Sequence, residues 1–384
     1  MASCIAEEVS PIVNDRVQES IIQNPEVSSE VKKNSGWKLQ AVISAAYDNN
    51  IYLSKINPKS DQVYRVGPIV AYAKGESSEG QGGFVQLSYN PTAVYYAKAS
   101  GEGRVDQQAT WAAGWRGKAT SVTYDGAILK TADAIADVGR KTDRVGIDNQ
   151  VKIGWTPREK TTYSVGAGHS STNYEDPALF DSTGIYGEAA WQYAYSPKTR
   201  AGIAYRVSRL EVERSPDQTA HQVTGRLEWQ PREKIQVQLE AGAESRKTEN
   251  GSKVNPVLNG RVEWQPRVGT AFFATAYQRE VASAYLAGQN YRQFGFTAGA
   301  SQRLGNRWTA KVEGGREWAK YTQVSGTGGG GREDRIWYVR PALEYKFTDR
   351  LTAEVFYRVS RNQSNQRDLG YDQDLAGLQL NYQF

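Results

Sequence analysis

The sequence predicts an all-β protein, a transmembrane up-and-down antiparallel β-barrel of about 18 strands with short periplasmic turns and longer extracellular loops. Three observations predict it. From Trp37 to the last residue, runs in which apolar and polar residues alternate follow one another, the signal of strands with two chemically different faces. The connections between strands alternate in character, one short and the next long and polar. Aromatic residues gather at strand ends beside the short connections, on the apolar parity, as they do where a bilayer meets water.

In chain order, residues 1–35 are polar, acidic then basic, and read as a flexible arm ahead of a barrel spanning 36–384. Alternating runs then start near 37, 62, 82, 105, 119, 144, 160, 183, 199, 218, 234, 255, 269, 291, 307, 334, 350 and 371. They are roughly 10 to 16 residues long, against about 5 to 6 for an ordinary globular strand. The run from Lys234 is typical: Ile235, Val237, Leu239, Ala241 and Ala243 share one side, and Gln236, Gln238, Glu240, Gly242 and Glu244 the other. The short set of connections comprises "RGK" at 116, "PRE" at 157, "SPK" at 196, "PRE" at 231, "PRV" at 266, "LGN" at 304 and "TDR" at 348. The long set comprises "KTADAIADVGRKTD" from 130, "EDPALFDS" from 175, "ERSPDQ" from 213, "TENGSKVN" from 248, "SGTGGGGRED" from 325 and "QSNQRDLG" from 363. One turn on the short side, "GESSEGQGG" near 75, is long. The recurring "GWTPREK" (154–160), "EWQPREK" (228–234) and "EWQPR" (263–267) mark one depth on successive hairpins, with Pro231 closing its strand and setting the φ of the turn.

Composition agrees with strands and tight turns. The 384 residues include 37 Gly, 23 Tyr and 10 Trp but one Met and one Cys. The 47 basic and 42 acidic residues are spread evenly, so no nucleic-acid patch stands out. A lone cysteine excludes an intramolecular disulfide and a cysteine zinc site, and the two histidines lie far apart, so no metal or other cofactor is expected. No basic region followed by a long apolar run opens the sequence, so no intact signal peptide is expected in it; "MASC" is similar to the end of a lipoprotein signal, with Cys4 the candidate lipidation site. No apolar stretch is long enough for a membrane helix, which leaves a β-barrel open because its strands average out as polar.

Alternation alone does not say which face meets which solvent. The aromatic girdle of Trp111, Trp115, Trp155, Trp191, Trp229, Trp264, Trp308 and Phe384 turns the apolar parity toward lipid. That parity is rich in Ala, Val and Tyr rather than the bulk a soluble core would use. The expected place is the bacterial outer membrane, among its lipids and lipopolysaccharide. The polar parity then lines an aqueous lumen, since this many strands enclose more space than side chains fill. Its candidate path residues are Arg65, Arg116, Asp148, Lys152, Glu188, Arg206, Arg226, Glu240, Arg261, Lys311, Arg340, Glu344 and Arg358, whose opposite signs also suit cross-strand ion pairs. Phe84, Tyr96, Tyr186, Tyr338 and Phe356 share that parity and offer rings for sugar stacking.

The early strand "VQLSYNPTAVYY" (85–96), the WxPR turns at 155, 229 and 264, and the terminal "LAGLQLNYQF" resemble the outer-membrane β-barrel proteins encoded beside bacterial exopolysaccharide synthesis genes. The resemblance implies export of a newly made polysaccharide through the lumen, with periplasmic export partners. The alginate exporter is similar in strand count and in an Arg-rich lumen, but no motif ties this chain to alginate. A general diffusion porin for small hydrophilic solutes is the alternative; it would fold a long loop inward, and the candidates here, 130–143 and 324–333, are only moderate in length. A barrel hydrolase is the third class, for which "GHSS" (168–171) supplies Ser and His, but His169 falls on the lipid-facing parity and no partner acid is evident, so no enzyme is expected.

Overall fold

A computed structural model describes residues 36–75, 81–249, 251–286, 288–321 and 331–384. Eighteen long strands form one closed antiparallel sheet, as the alternation predicts. In chain order they are β1 (Gly36–Asp48), β2 (Asp61–Lys74), β3 (Gly82–Tyr96), β4 (Arg104–Arg116), β5 (Thr120–Thr131), β8 (Arg144–Arg158), β9 (Thr161–Tyr174), β10 (Ser182–Ser196), β11 (Thr199–Val212) and β12 (Gln218–Arg232). The ring continues with β13 (Ile235–Thr248), β14 (Gly251–Arg267), β15 (Thr270–Ala282), β16 (Asn290–Leu304), β17 (Trp308–Tyr321), β18 (Glu333–Lys346), β19 (Leu351–Ser364) and β20 (Tyr371–Gln383). Two further strands, β6 (Ala134–Ile135) and β7 (Arg140–Lys141), make a small hairpin within the β5–β8 connection. Each long strand pairs with its neighbours in sequence, and β1 closes the ring against β20 from Gln40↔Gln383 to Asp48↔Leu375. Closure leaves no edge strand whose backbone would have to be desolvated in lipid.

Strand starts fall within one residue of expectation except at β14. There, residues expected as loop continue the ladder with β13, through Arg246↔Lys253 and Lys247↔Ser252, so β14 starts four residues before the expected 255. The WxPR motif also differs from its expected role. The β12–β13 register shifts between Trp229 and Arg232, and Arg232 still pairs with Ile235; the same shift follows Trp155 and Trp264. The proline therefore sits in a bulge before the last ladder pair, where its missing N–H costs no hydrogen bond, and the turn itself comes two residues later.

The outward parity is apolar and bare, with Val165 55%, Ile185 53%, Ile203 51% and Val355 60% exposed. Of the girdle residues, Trp115, Trp155, Trp191, Trp229, Trp264, Trp308 and Phe384 are exposed on this face at the short-turn end. Trp111 shares the parity but lies further up β4, where its ring takes the place of a side chain at Gly126. An exposed apolar wall between aromatic rings is stable only against lipid, and the even number of strands agrees with the single-chain barrels of the bacterial outer membrane. The protein is an outer-membrane β-barrel. Cys4, the arm 1–35 and most of the two segments 75–83 and 324–333 lie outside the described residues.

Candidate functional site

The buried apolar clusters of this barrel lie at its long-loop end. One joins Leu53, Ala134 and Tyr371; another joins Val138, Leu179 and Ala284. Their members belong to connections far apart around the ring, so the loops meet over the lumen.

The β5–β8 connection, residues 132–143, is the common partner. Arg144, 2% exposed, clamps its base, donating from Nη1 to the carbonyls of Asp133 (2.8 Å) and Thr142 (3.4 Å). Arg104 holds Asp133 at 2.6 Å. Lys141 lies 3.7 Å from the ring centroid of Tyr96 and 3.4 Å from Glu102. From this base the hairpin reaches the opposite wall. The Asp137 carboxylate accepts from Ser283 Oγ (3.0 Å), Ala284 N (2.8 Å) and Tyr321 Oη (2.7 Å). Arg332 donates to the carbonyls of Asp137 (2.6 Å) and Ala136 (2.7 Å), and its Nη2 is held by Asp334 at 2.6 Å. Between the β5–β8 and β15–β16 connections lie eight strands one way round and ten the other, so the loop spans nearly a full diameter. Burial raises the Asp137 carboxyl above its ordinary range, against the lowering effect of its hydrogen bonds and of Arg332.

A second element folds inward beside it. The β14–β15 ladder ends at Leu258↔Gln278, while β14 continues on β13 to Gly251 and β15 continues on β16 to Ala282. Above that point Glu280 and Asn290, which share the parity of the exposed Phe296, bond to inward side chains: Asn290 exchanges two hydrogen bonds with Gln218 (2.8 and 3.0 Å), and Asn255 donates to Glu280. The end of the β15–β16 hairpin therefore lies inside the barrel, against β12 to β14. The mouth is narrowed from two sides.

Below the mouth, all thirteen expected path residues stand on the parity opposite the exposed apolar wall, and the structure brings seven of them, with Glu354, into two close networks. Glu188 accepts from Arg206 (2.6 Å) and Arg226 (2.8 Å), and Arg226 also reaches Glu240 (3.2 Å). Lys311 bridges Glu344 (2.7 Å) and Glu354 (3.2 Å), and Arg340 holds Glu354 at 2.6 Å. Each network carries two cations and two carboxylates, which leaves the lumen wall locally neutral. Arg358 lies over the ring of Tyr338 at 4.6 Å. Arg261 pairs with Glu263 on its own strand at 2.5 Å; Arg65 lies on β2, Arg116 on β4, and Asp148 and Lys152 on β8.

The inward rings are not free for stacking. Tyr186, Tyr338 and Phe356 each sit on a cross-strand glycine (Gly168, Gly315 and Gly377), filling the space where a side chain would stand. Arg206, Arg358 and Arg340 cover them at 4.5, 4.6 and 4.6 Å. Tyr96 lies under Lys141. Phe84 fills the space over Gly114. These rings stiffen the wall by replacing the packing its glycines lack. In "GHSS", His169 is exposed on the lipid side and Ser170 is buried on the inner side, so the two point to opposite faces of β9.

Asp137, Ser283, Tyr321, Arg332 and Asp334 were not among the sequence candidates. Their signal was present in the loops: 132–138 reads "ADAIADV" and 282–286 reads "ASAYL", too apolar for loops that stay in water.

Residues 213–372 match a family described as "Putative MetA-pathway of phenol degradation". Among solved structures, Pseudomonas aeruginosa OpdQ is similar at 12% identity over 93% of this chain and 99% of that one, with a TM-score of 0.49. The outer membrane protein OpdK of the same organism follows at 13% identity, 91% and 98% coverage and a TM-score of 0.44. Its siderophore receptor PirA stands at 9% identity, 92% and 81% coverage and a TM-score of 0.44. No curated protein matches the chain in sequence.

Proposed function

We propose that the chain is a porin-type channel for small hydrophilic solutes, whose size limit is set at the mouth by the inward-folded loop 132–143. One observation carries this: Asp137 and Arg332 fasten that loop to the far wall, across the path any solute takes. A growing polysaccharide would have to thread the mouth continuously beside a loop held at both ends. A small solute needs only the gap beside it. The neutral ion-pair networks suit uncharged or weakly charged polar solutes. The family description matching residues 213–372 concerns phenol degradation and supports a small-molecule cargo, hydroxylated aromatics included. Polysaccharide export draws no support from that match.

The test is swelling of liposomes that contain the full chain, in isotonic solutions of graded solutes. Monosaccharides and hydroxybenzoate are expected to enter and long oligosaccharides to be excluded. Entry of oligosaccharides as fast as monosaccharides, or entry of none of the solutes, refutes the reading. A deletion strain is expected to keep its normal surface polysaccharide.

A further inference from the structure

The outward face of β16 to β18 departs from the rest of the lipid-facing wall. Arg292 on β16, Arg316 and Lys320 on β17, and Arg335 on β18 all project from it, with Arg292 directly opposite Lys320 and Trp318 directly opposite Arg335. They surround an aromatic floor: Trp318 lies 5.4 Å from Phe294 and 6.1 Å from Phe296, and the Arg316 guanidinium rests 4.8 Å above the Trp318 ring. A groove of about 500 Å³ runs between Pro256 and Gln278 at the open β14–β15 seam and Arg292, Phe294, Trp318 and Arg335.

The balance of charge here is unusual. Two outward arginines elsewhere at this end of the wall sit among carboxylates: Arg209 with Glu211 (3.0 Å) and Asp217 (2.5 Å), Arg361 with Asp372 (3.2 Å) and Asp374 (3.0 Å). Of the two carboxylates that line the groove, the buried Asp334 is taken up by Arg332 (2.6 Å) and Glu333 serves Lys320 (2.9 Å) and influences Arg335, while Arg292 and Arg316 form no ion pair among the described residues. Height adds the second argument. At a rise of about 3.3 Å per residue and a tilt of about 40°, each residue climbs roughly 2.5 Å. Arg316 and Lys320 therefore stand about 20 and 30 Å above Trp308, on either side of the upper edge of an apolar band about 25 Å tall. An excess of cations over carboxylates above exposed aromatics at that level matches one kind of partner, an anionic headgroup with an acyl chain beneath it.

We propose that this groove binds a phosphate of the phosphorylated glucosamine lipid of the outer leaflet, lipid A. Arg292, Arg316 and Arg335 hold the phosphate, and Phe294, Phe296 and Trp318 bear the first methylenes of an acyl chain. Arginine suits the role because its planar fork meets two phosphate oxygens at once.

Native mass spectrometry of the full chain folded in detergent tests the assignment with four probes: bisphosphoryl lipid A, its dephosphorylated form, phosphatidylglycerol and inorganic phosphate. Bisphosphoryl lipid A is expected to bind best, and the triple variant Arg292→Gln/Arg316→Gln/Arg335→Gln to weaken it by about tenfold or more. The control Arg209→Gln/Arg361→Gln, which removes outward cations elsewhere, is expected to bind as the unchanged protein does. Equal binding of the dephosphorylated lipid, equal binding of phosphatidylglycerol, or a triple variant without effect each overturns the proposal. If the triple variant loses the heat-modifiable mobility of a folded barrel, raising salt on the unchanged protein replaces it: bound lipid A must fall, and salt-independent binding refutes the site.

Discussion

Replacing Asp137 with alanine is expected to unfasten the loop from the far wall without disturbing the barrel, because Asp137 belongs to no strand of the ring. The carboxylate receives three donors, from Ser283, Ala284 and Tyr321. Hydrogen bonds to a charged group contribute about 1.5–3 kcal/mol each, and the cost of burying the carboxylate offsets much of that sum. Arg332 keeps its bonds to the carbonyls of residues 136 and 137, and Val138 keeps its contacts with Leu179 and Ala284. A net loss of about 2–3 kcal/mol shifts the loop's opening equilibrium by about 30- to 150-fold. Planar-bilayer recording reads it directly: the alanine variant should show larger or more frequent open levels and should admit solutes excluded before. Identical conductance and identical size exclusion in Asp137→Ala and the unchanged protein would refute a fastened mouth.

The same carboxyl sets a pH dependence whose sign follows from its burial. With the loop fastened, burial holds its pKa above the ordinary 3.8, so the closed mouth binds a proton more readily than an open one in which Asp137 meets water. The closed form therefore gains stability as pH falls through the raised value, and the gain is complete below 3.8. It is lost again as pH rises. Conductance is expected to drop on acidification, and Asp137→Asn, which keeps the shape of the neutral acid, should stay closed at every pH. A conductance that increases on acidification contradicts this sign.

Other expectations concern the wall. Glu188→Gln leaves Arg206 and Arg226 with one carboxylate between them, so the reversal potential in a salt gradient should move toward anion preference; no movement would mean that this network does not face the permeating ions. Gly168→Ala places a Cβ 2.2 Å from the Tyr186 ring, and the displaced ring should cost about 1–3 kcal/mol in denaturant unfolding of the detergent-solubilised barrel. Val312→Arg puts a charge on the lipid face, four residues above Trp308 and near the bilayer midplane, where about 2–4 kcal/mol of destabilisation is expected in the same assay. An unchanged unfolding midpoint in either variant would count against the face assigned to that residue.

What was legible in the sequence follows from which interactions are local. Each strand announces itself because its two solvents differ, so Ile235 and Gln236 reveal their faces without reference to any other strand. The lumen ion pairs are nearly as legible, since Glu188 and Arg206 sit opposite one another on adjacent strands. The mouth is another matter. Asp137 meets Ser283 across 146 residues and Arg332 across 195, and no periodicity records such a pairing. The aromatic rings were misread for a related reason. Tyr186 looks available until Gly168 is seen to be its cross-strand partner, an arrangement that depends on register and not on either residue alone. Yet the apolar loops were a signal of a chemical kind. Ala134 and Val138 in one connection, and Ala284 and Leu286 in another, would be exposed at a cost if those loops stood in water. In a barrel whose outside is committed to lipid and whose inside is wet, the only other place for apolar loop residues is against each other over the lumen. A loop between two barrel strands that is richer in alanine and valine than in serine and glycine therefore points inward. That inference requires knowing only which end carries the long connections, which the WxPR turns mark.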